Sequence, residues 1–533
     1  MIKEFYLNKS KYNRSDEIEL TIDSNVIDKT ALITIFNLDK QIREIKKTLC
    51  FGINKINLGI FDYDFSGFIF TIRIDDYEIN SSFSIDTNDK IIRYGFLSDF
   101  EKVDNNDDIN WMRDNHISFV QYYDWSYHHD DMVSNAKSYV DSMGKRNNLD
   151  IISNKISYCK SLGMKNMAYG PIYAATKDYF LNHKEEAYYA IKDKPLSFID
   201  TFYFMNIGES SYWRSHIISE YKKSINQVGF DGIHLDTYGY PKKALDYNNE
   251  VIELGREIPK FLDNVEESLN NAKLIFNNVG AWPLTRECAR SQTAIYIEVW
   301  PPFDTFYNLK EIILKAKEFN KPIILAAYIA SFRLDRENAL YSALFTTFYI
   351  NSLGATHLFL GEEGCVITQG YYCDYTKLRD EEKKIVKRYQ DFFVAYQSLL
   401  YDDSFVDVTM TYSGWDNEEY IIEGNYSLTS ESNNISVIIR ENKNKHLISL
   451  MNLENNDNVW HLGKKEPSLS SSLIFKVQIY SDVKKVLFLD PEDSKLLPTF
   501  LDYEIREGAR SKVIEFEVPK FKVGALVYFI EEN

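Results

Sequence analysis

FDGIHLDTYG, residues 230–239, is a short apolar run closed by a polar turn. It is too short for a helix and suits a strand. Alternation along an extended chain puts Gly232, His234 and Asp236 on one face and Ile233 and Leu235 on the other. Long amphipathic stretches flank it, SYWRSHIISEYKKSINQV at 211–228 and NNEVIELGREIPKFLDNVEESL at 248–269. A strand between two helices of that length is the unit of a parallel α/β sheet.

The same pattern recurs in both directions. Strands are read at 116–125, 164–173, 197–206, 230–239, 273–282, 294–302, 322–330 and 356–364, with helices such as LKEIILKAKEF (309–319) and RENALYSALFTTFYINSL (336–353) between them. Eight strand–helix units over about 300 residues are the count and length of a (β/α)8 TIM barrel; a doubly wound open sheet is the alternative. Residues 1–94 alternate short β-prone runs with Asp, Asn, Lys and Gly turns, which predicts an N-terminal β-sandwich. After the helical run at 383–400, HLISLMNL, SLIFKVQIYS and ALVYFI bring back short strands. The chain is therefore read as multidomain α/β, with the barrel at 95–402 and a C-terminal antiparallel β-domain at 403–533.

Bulk properties narrow the chemistry. A chain of 533 residues is too long for one hydrophobic core. A net charge of −18 without a dense Lys/Arg cluster argues against nucleic acid as a partner. Tyr (38) and Phe (34) far outnumber Trp (7), and such flat rings suit the C–H face of a pyranose. The five cysteines are odd in number and lack a Cys-x-x-Cys pair, so they are read as free thiols. No export signal or membrane span is read, which predicts a cytoplasmic protein, or a secreted one if the sequence is a trimmed mature form. A monomer is expected. The glycine patterns of phosphate loops are absent.

In a barrel, chemistry collects at the C-terminal ends of the strands. Asp236 closes the strand at 230–239 on the face opposite Ile233 and Leu235. In AIYIEVWPP (294–302), Glu298 shares its face with Tyr296 and Trp300 and lies opposite Ile297 and Val299. Two inward carboxylates are what glycoside hydrolysis needs. Val299, Trp300, Pro301 and Pro302 surround Glu298 with apolar groups, which favours the protonated acid, whereas His234 and the Gly239 turn make a polar setting for an ionised nucleophile at Asp236. Carboxylates paired within a core are the structural alternative. QYYDWSYHHD (121–130) is the most polar-aromatic run in the chain, and Tyr123, Asp124, Trp125 and His128 read as a sugar subsite, with Asp124 the second choice for nucleophile. Further candidates for substrate contact are His234, Tyr238, Asn278, Trp282, Trp300 and Tyr328. Asn277, Tyr173 and Asn206 are weaker, and Glu362 and Glu363 are read as solvated loop charges. The adjacent histidines point apart and lack a third ligand, so no metal or other cofactor is expected.

FVQYYDWSYHHD, GFDGIHLDTYG and YIEVWPP, taken in order, resemble the catalytic segments of glycoside hydrolase family 66, the endo-dextranases and cycloisomaltooligosaccharide glucanotransferases. The resemblance implies an N-terminal β-sandwich, a barrel and a C-terminal β-domain, and a retaining mechanism with Asp236 as nucleophile and Glu298 as acid/base. Thr237-Tyr238-Gly239 departs from the family's Gln-Leu-Gly continuation. No insertion the size of a carbohydrate-binding module is visible, which favours hydrolysis of α-1,6 linkages in dextran or isomaltooligosaccharides over cyclisation. An exo-acting α-glucosidase and a carbohydrate-binding protein without turnover are the competing readings.

Overall fold

The computed structural model describes residues 2–102, 106–508 and 511–532. Its centre is a parallel sheet of eight strands: β1 (Tyr94–Leu97), β2 (Phe119–Tyr122), β3 (Lys165–Pro171), β4 (Gly232–Asp236), β5 (Lys273–Asn277), β6 (Ala294–Glu298), β7 (Ile323–Ala326) and β8 (Thr356–His357). Neighbours in space are neighbours in sequence from β1 to β8. A parallel bridge between Phe96 and Gly361 brings the first strand against the segment after the last, so the sheet closes on itself.

This strand list corrects the predicted one at two places. YGFL at 94–97 is a barrel strand; its four residues are all buried, so it shows neither alternation nor length. The run at 197–206 is outside the barrel. It folds as Ser197–Phe198 and Phe202–Phe204, a hairpin that pairs with Ala174–Thr176 above β3. Its aromatic residues have strand chemistry, and the local antiparallel partner satisfies it. One strand lost and one gained leave Asp236 on the fourth strand and Glu298 on the sixth.

Eight of the helices are α1 (Asp107–Asp114), α2 (Leu149–Ser161), α3 (Tyr212–Lys223), α4 (Leu254–Ser268), α5 (Arg286–Arg290), α6 (Phe306–Lys317), α7 (Ala339–Ser352) and α8 (Asp380–Ala395), and short helical turns lie between some of them. Their starts follow the side chains available: Asn148 caps α2, Ser211 caps α3, and Thr305 with Asn308 forms a capping box on α6. Inward residues fill the barrel in layers, with Tyr94, Phe96, Phe119, Met167, Ile275, Tyr296 and Ile324 in one cluster. Gly232 is required at the base of β4, because a Cβ there would stand 2.0 Å from the Lys273 carbonyl oxygen.

Before the barrel, a three-stranded and a four-stranded antiparallel sheet enclose a shared core that includes Leu20, Ile22, Ile33, Phe68 and Phe70. Beyond α8, two more sheets, antiparallel except where Tyr426–Ser427 pairs in parallel with Ile435–Asn442, share Ile439, Ile448, Phe475, Phe516 and Val527. Glu362, read from sequence as a solvated charge, is buried at 4% exposure. Its carboxylate accepts from Ser98 N, Ser98 Oγ and Asp99 N and so ties the end of β1 to the segment after β8. Burial pushes its pKa up to about 7. Glu363 does face solvent, paired with Lys377.

Candidate active site

Alternation from the base of each strand decides what reaches the mouth. On β4, Gly232, His234 and Asp236 point inward; on β6, Ala294, Tyr296 and Glu298 do so; on β5, Ile275 and Asn277. Asn277 lies between the two acids. Its Nδ2 donates to Asp236 Oδ1 at 2.8 Å and to Glu298 Oε2 at 3.0 Å. The outer oxygens are held by phenols: Tyr169 OH donates to Asp236 Oδ2 at 2.7 Å, and Tyr328 OH to Glu298 Oε1 at 2.6 Å. Tyr328 also stands 3.4 Å from Tyr372 OH, which is 2.6 Å from Tyr296 OH. The carboxylates are thus fixed by a network of neutral donors, without a cation among the described residues.

Burial raises the pKa of both acids. For Asp236 burial comes first and the charge on Glu298 second, and together they lift it to about 7 against the opposing bonds from Tyr169 and Asn277. For Glu298, burial outweighs the lowering effect of Tyr328, Asn277 and Trp300. The expected contrast between a polar Asp236 and an apolar Glu298 is therefore absent. Two buried carboxylates joined through one amide do not ionise independently, because the charge on either opposes the charge on the other.

The other predicted residues divide into those at the mouth and those below it. Tyr123 stacks on Tyr372 at 4.5 Å and donates to the Gly370 carbonyl at 3.2 Å. Asp124 is 7% exposed, and burial raises its pKa to about 7. Trp300 stays 41% exposed, edge-on to Tyr328. Trp282 lies further out, with Lys242 over its ring at 5.4 Å. Tyr238 packs its ring against Phe198 and Phe204, and its hydroxyl is buried without a partner.

Three predicted contacts are instead structural. Trp125 is fully buried, donates to the Tyr169 carbonyl at 3.1 Å and packs on Phe230. His234 sits a layer below Asp236, bonded to Tyr94 OH at 3.0 Å, and burial lowers its pKa to about 3. Asn278 is turned outward and spends its amide on the carbonyls of Phe276 and Tyr296. His128 stacks on Tyr127 at the surface of the loop after β2. Among the described residues no three His, Cys, Asp or Glu side chains converge to hold a metal ion, and no helix is long and apolar enough to cross a membrane.

Sequence reasoning passed over Tyr169, Tyr372 and Gly370, and ranked Asn277 below Asn278. Alternation would have found two of them, since Met167 and Ile275 face inward and so do the residues two further on. Tyr372 and Gly370 belong to the hairpin after β8 (Cys365–Val366 with Thr376–Lys377), where no periodicity marks direction.

Comparison with known proteins agrees with this architecture. Two cycloisomaltooligosaccharide glucanotransferases from Niallia circulans are 22% and 20% identical, each over 99% of this chain and over 71% and 72% of their own lengths. The alignments run over 712 and 702 positions, so these relatives carry long segments that the present chain lacks. A Paenibacillus sp. cycloisomaltooligosaccharide glucanotransferase, solved with cycloisomaltoheptaose, superposes with a TM-score of 0.89 at 18% identity over 99% of both chains and so shares the fold. The model of glycosyl hydrolase family 66 matches residues 7–528. This chain belongs to glycosyl hydrolase family 66.

Proposed function

We propose that the protein is a retaining glycosidase that hydrolyses α-1,6-glucosidic linkages in dextran or isomaltooligosaccharides. Asp236 attacks the anomeric carbon as the bond to the leaving oxygen breaks, and Glu298 protonates that oxygen. Glu298 then takes a proton from water, which displaces Asp236 and restores both groups. The observation that carries this reading is the single amide nitrogen of Asn277, bonded to both acids at 2.8 and 3.0 Å. Two oxygens bonded to one nitrogen at those lengths lie nearer to each other than the ~6.5–9.5 Å of inverting pairs, which favours retention. Tyr123, Trp300 and Asp124 supply ring faces and a hydroxyl acceptor around the pair.

A second reading, transfer of the glucosyl unit to a sugar hydroxyl, is favoured by the activity named for the relatives. Hydrolysis is preferred because this chain lacks the long segments that the two Niallia circulans relatives carry. Incubation with dextran and an isomaltooligosaccharide ladder, followed by product analysis, distinguishes the two. Linear products that shorten with time are expected; cyclic products would shift the assignment to transfer. Asp236→Asn and Glu298→Gln are each expected to lose roughly a thousandfold or more in kcat. Wild-type turnover in both variants, or none in the wild type on any α-glucan, would sink the proposal.

A further inference from the structure

The sheet that carries Asp236 lets go of the chain at that residue. Asp236 O still accepts from Ile172 N at 3.0 Å, but beyond it β4 pairs with neither neighbour. Among the described residues the main chain of 237–240 makes two hydrogen bonds, and both go to one side chain. Tyr238 N donates to the Tyr173 hydroxyl at 2.8 Å, and that hydroxyl donates to the Tyr240 carbonyl at 2.7 Å. Tyr173 lies two residues past the end of β3 and is 1% exposed, so it is buried under the turn and does not line the cleft. Its ring packs on Phe204 at 4.6 Å, and its carbonyl accepts from Met205 N at 2.7 Å, which fixes the phenol from the side of the hairpin above β3.

Apolar packing confines the same turn without orienting it. The Tyr238 ring lies on Phe198 and Phe204 at 4.3 and 5.5 Å. Gly239, at φ 73°, passes so near Val279 that a Cβ would stand 2.7 Å from its Cγ1. Ring and methyl contacts are indifferent to the direction of an amide, whereas a hydrogen bond is not. Direction matters here because the Thr237 N–H is one of the groups that favour the ionised form of Asp236, beside Tyr169 and Asn277. We infer that Tyr173 is a positioning residue for the nucleophile: its hydroxyl sets the turn after Asp236, and the turn sets the aim of the carboxylate. The inference rests on the reading of Asp236 as nucleophile given above. The competing account is that the phenol only satisfies two buried main-chain groups, as the buried Tyr188 hydroxyl does for Ile207 N at 3.1 Å.

The test compares Tyr173→Phe with Tyr188→Phe, each of which keeps its ring and loses one buried hydroxyl. Melting temperature, kcat and KM on isomaltotetraose, and the pH profile of kcat/KM are measured well below the melting range. Tyr173→Phe is expected to lower kcat about tenfold or more with KM within about threefold of wild type, because the carboxylate is misaimed while the sugar contacts remain. It should also move the acidic limb toward higher pH by about half a unit, since less of Asp236 is ionised at a given pH. Tyr188→Phe should lower the melting temperature and leave kcat and both limbs at their wild-type values. If the acidic limb of Tyr173→Phe stays where it is in the wild type, whether or not kcat falls, the hydroxyl is structural only and the inference falls while Asp236 keeps its assignment. If Tyr188→Phe moves the limb as far as Tyr173→Phe does, general loosening accounts for the shift and the inference falls. If Asp236→Asn keeps wild-type turnover, the nucleophile reading fails and takes the inference with it.

Discussion

Asn277 is the residue on which the chemistry of the pair turns. It donates to both carboxylates and thereby favours the ionised form of each. Removing it leaves burial less opposed, so both pKa values rise. Asn277→Ala should therefore move the acidic and alkaline limbs of the kcat/KM profile toward higher pH, and a profile unchanged from wild type would show that the amide does not tune the pair. Asp236 itself carries a stability consequence. Its folded pKa is raised to about 7, so the fold favours the protonated carboxyl, and stability is lost as pH rises from the ordinary carboxylate range through 7. Asp236→Asn removes that loss. Its melting temperature should exceed the wild type's above pH 7 and converge with it near pH 4, whereas a deficit at high pH would mean that the carboxylate is structurally needed.

At the scale of elements, the hairpin after β8 completes the site. Gly370 lies against Glu298: a Cβ at that position would stand 3.2 Å from Oε1 and 3.6 Å from the Trp300 ring. Gly370→Ala should displace the acid by a few tenths of an ångström and lower kcat at least severalfold while the melting temperature holds, because near-attack geometry is less tolerant than packing. Unchanged kcat would show that the hairpin does not position Glu298. The same hairpin shows where sequence reading stops. Strands flanked by helices were legible because period 2 alternates with period 3.6, and alternation alone aimed Asp236 and Glu298 inward. β1 was illegible because Tyr94–Leu97 is four residues long and buried on both faces. The run at 197–206 was misleading because strand propensity does not say which partner a strand will find. Trp125 was taken for a sugar platform by composition, yet its indole is buried against Phe230. Side-chain direction in the loops depends on packing that no local pattern encodes.

At the scale of the molecule, the C-terminal sheets brace the loop that carries the acid. One core joins Leu309, Ile313, Phe345 and Phe348 of the barrel helices to Leu447, Met451, Trp460 and Leu526 beyond residue 403. Trp460 is the keystone of this contact. Its indole donates to the Phe303 carbonyl at 2.7 Å, its amide donates to the Asp304 carbonyl at 3.2 Å, and its own carbonyl accepts from Ser342 and Thr346 at 3.1 Å each. Phe306 N donates to the Asn458 carbonyl at 3.0 Å, and Thr305 bridges to Val459. These bonds grip residues 303–306, which follow directly on Glu298-Val299-Trp300-Pro301-Pro302 and start α6. Trp460→Ala leaves the main-chain bonds in place but opens a cavity and strands the Phe303 carbonyl. It should cost about 3–5 kcal/mol of stability, measured by denaturant unfolding, and it should also lower kcat on isomaltooligosaccharides below the melting range. Trp460→Phe, which refills most of the volume without the indole N–H, separates the two effects. Recovered stability with kcat still depressed would mean that the indole bond positions the acid's loop; recovery of both would mean that packing alone does so, and an effect on neither from Trp460→Ala would end the claim that these sheets brace the barrel.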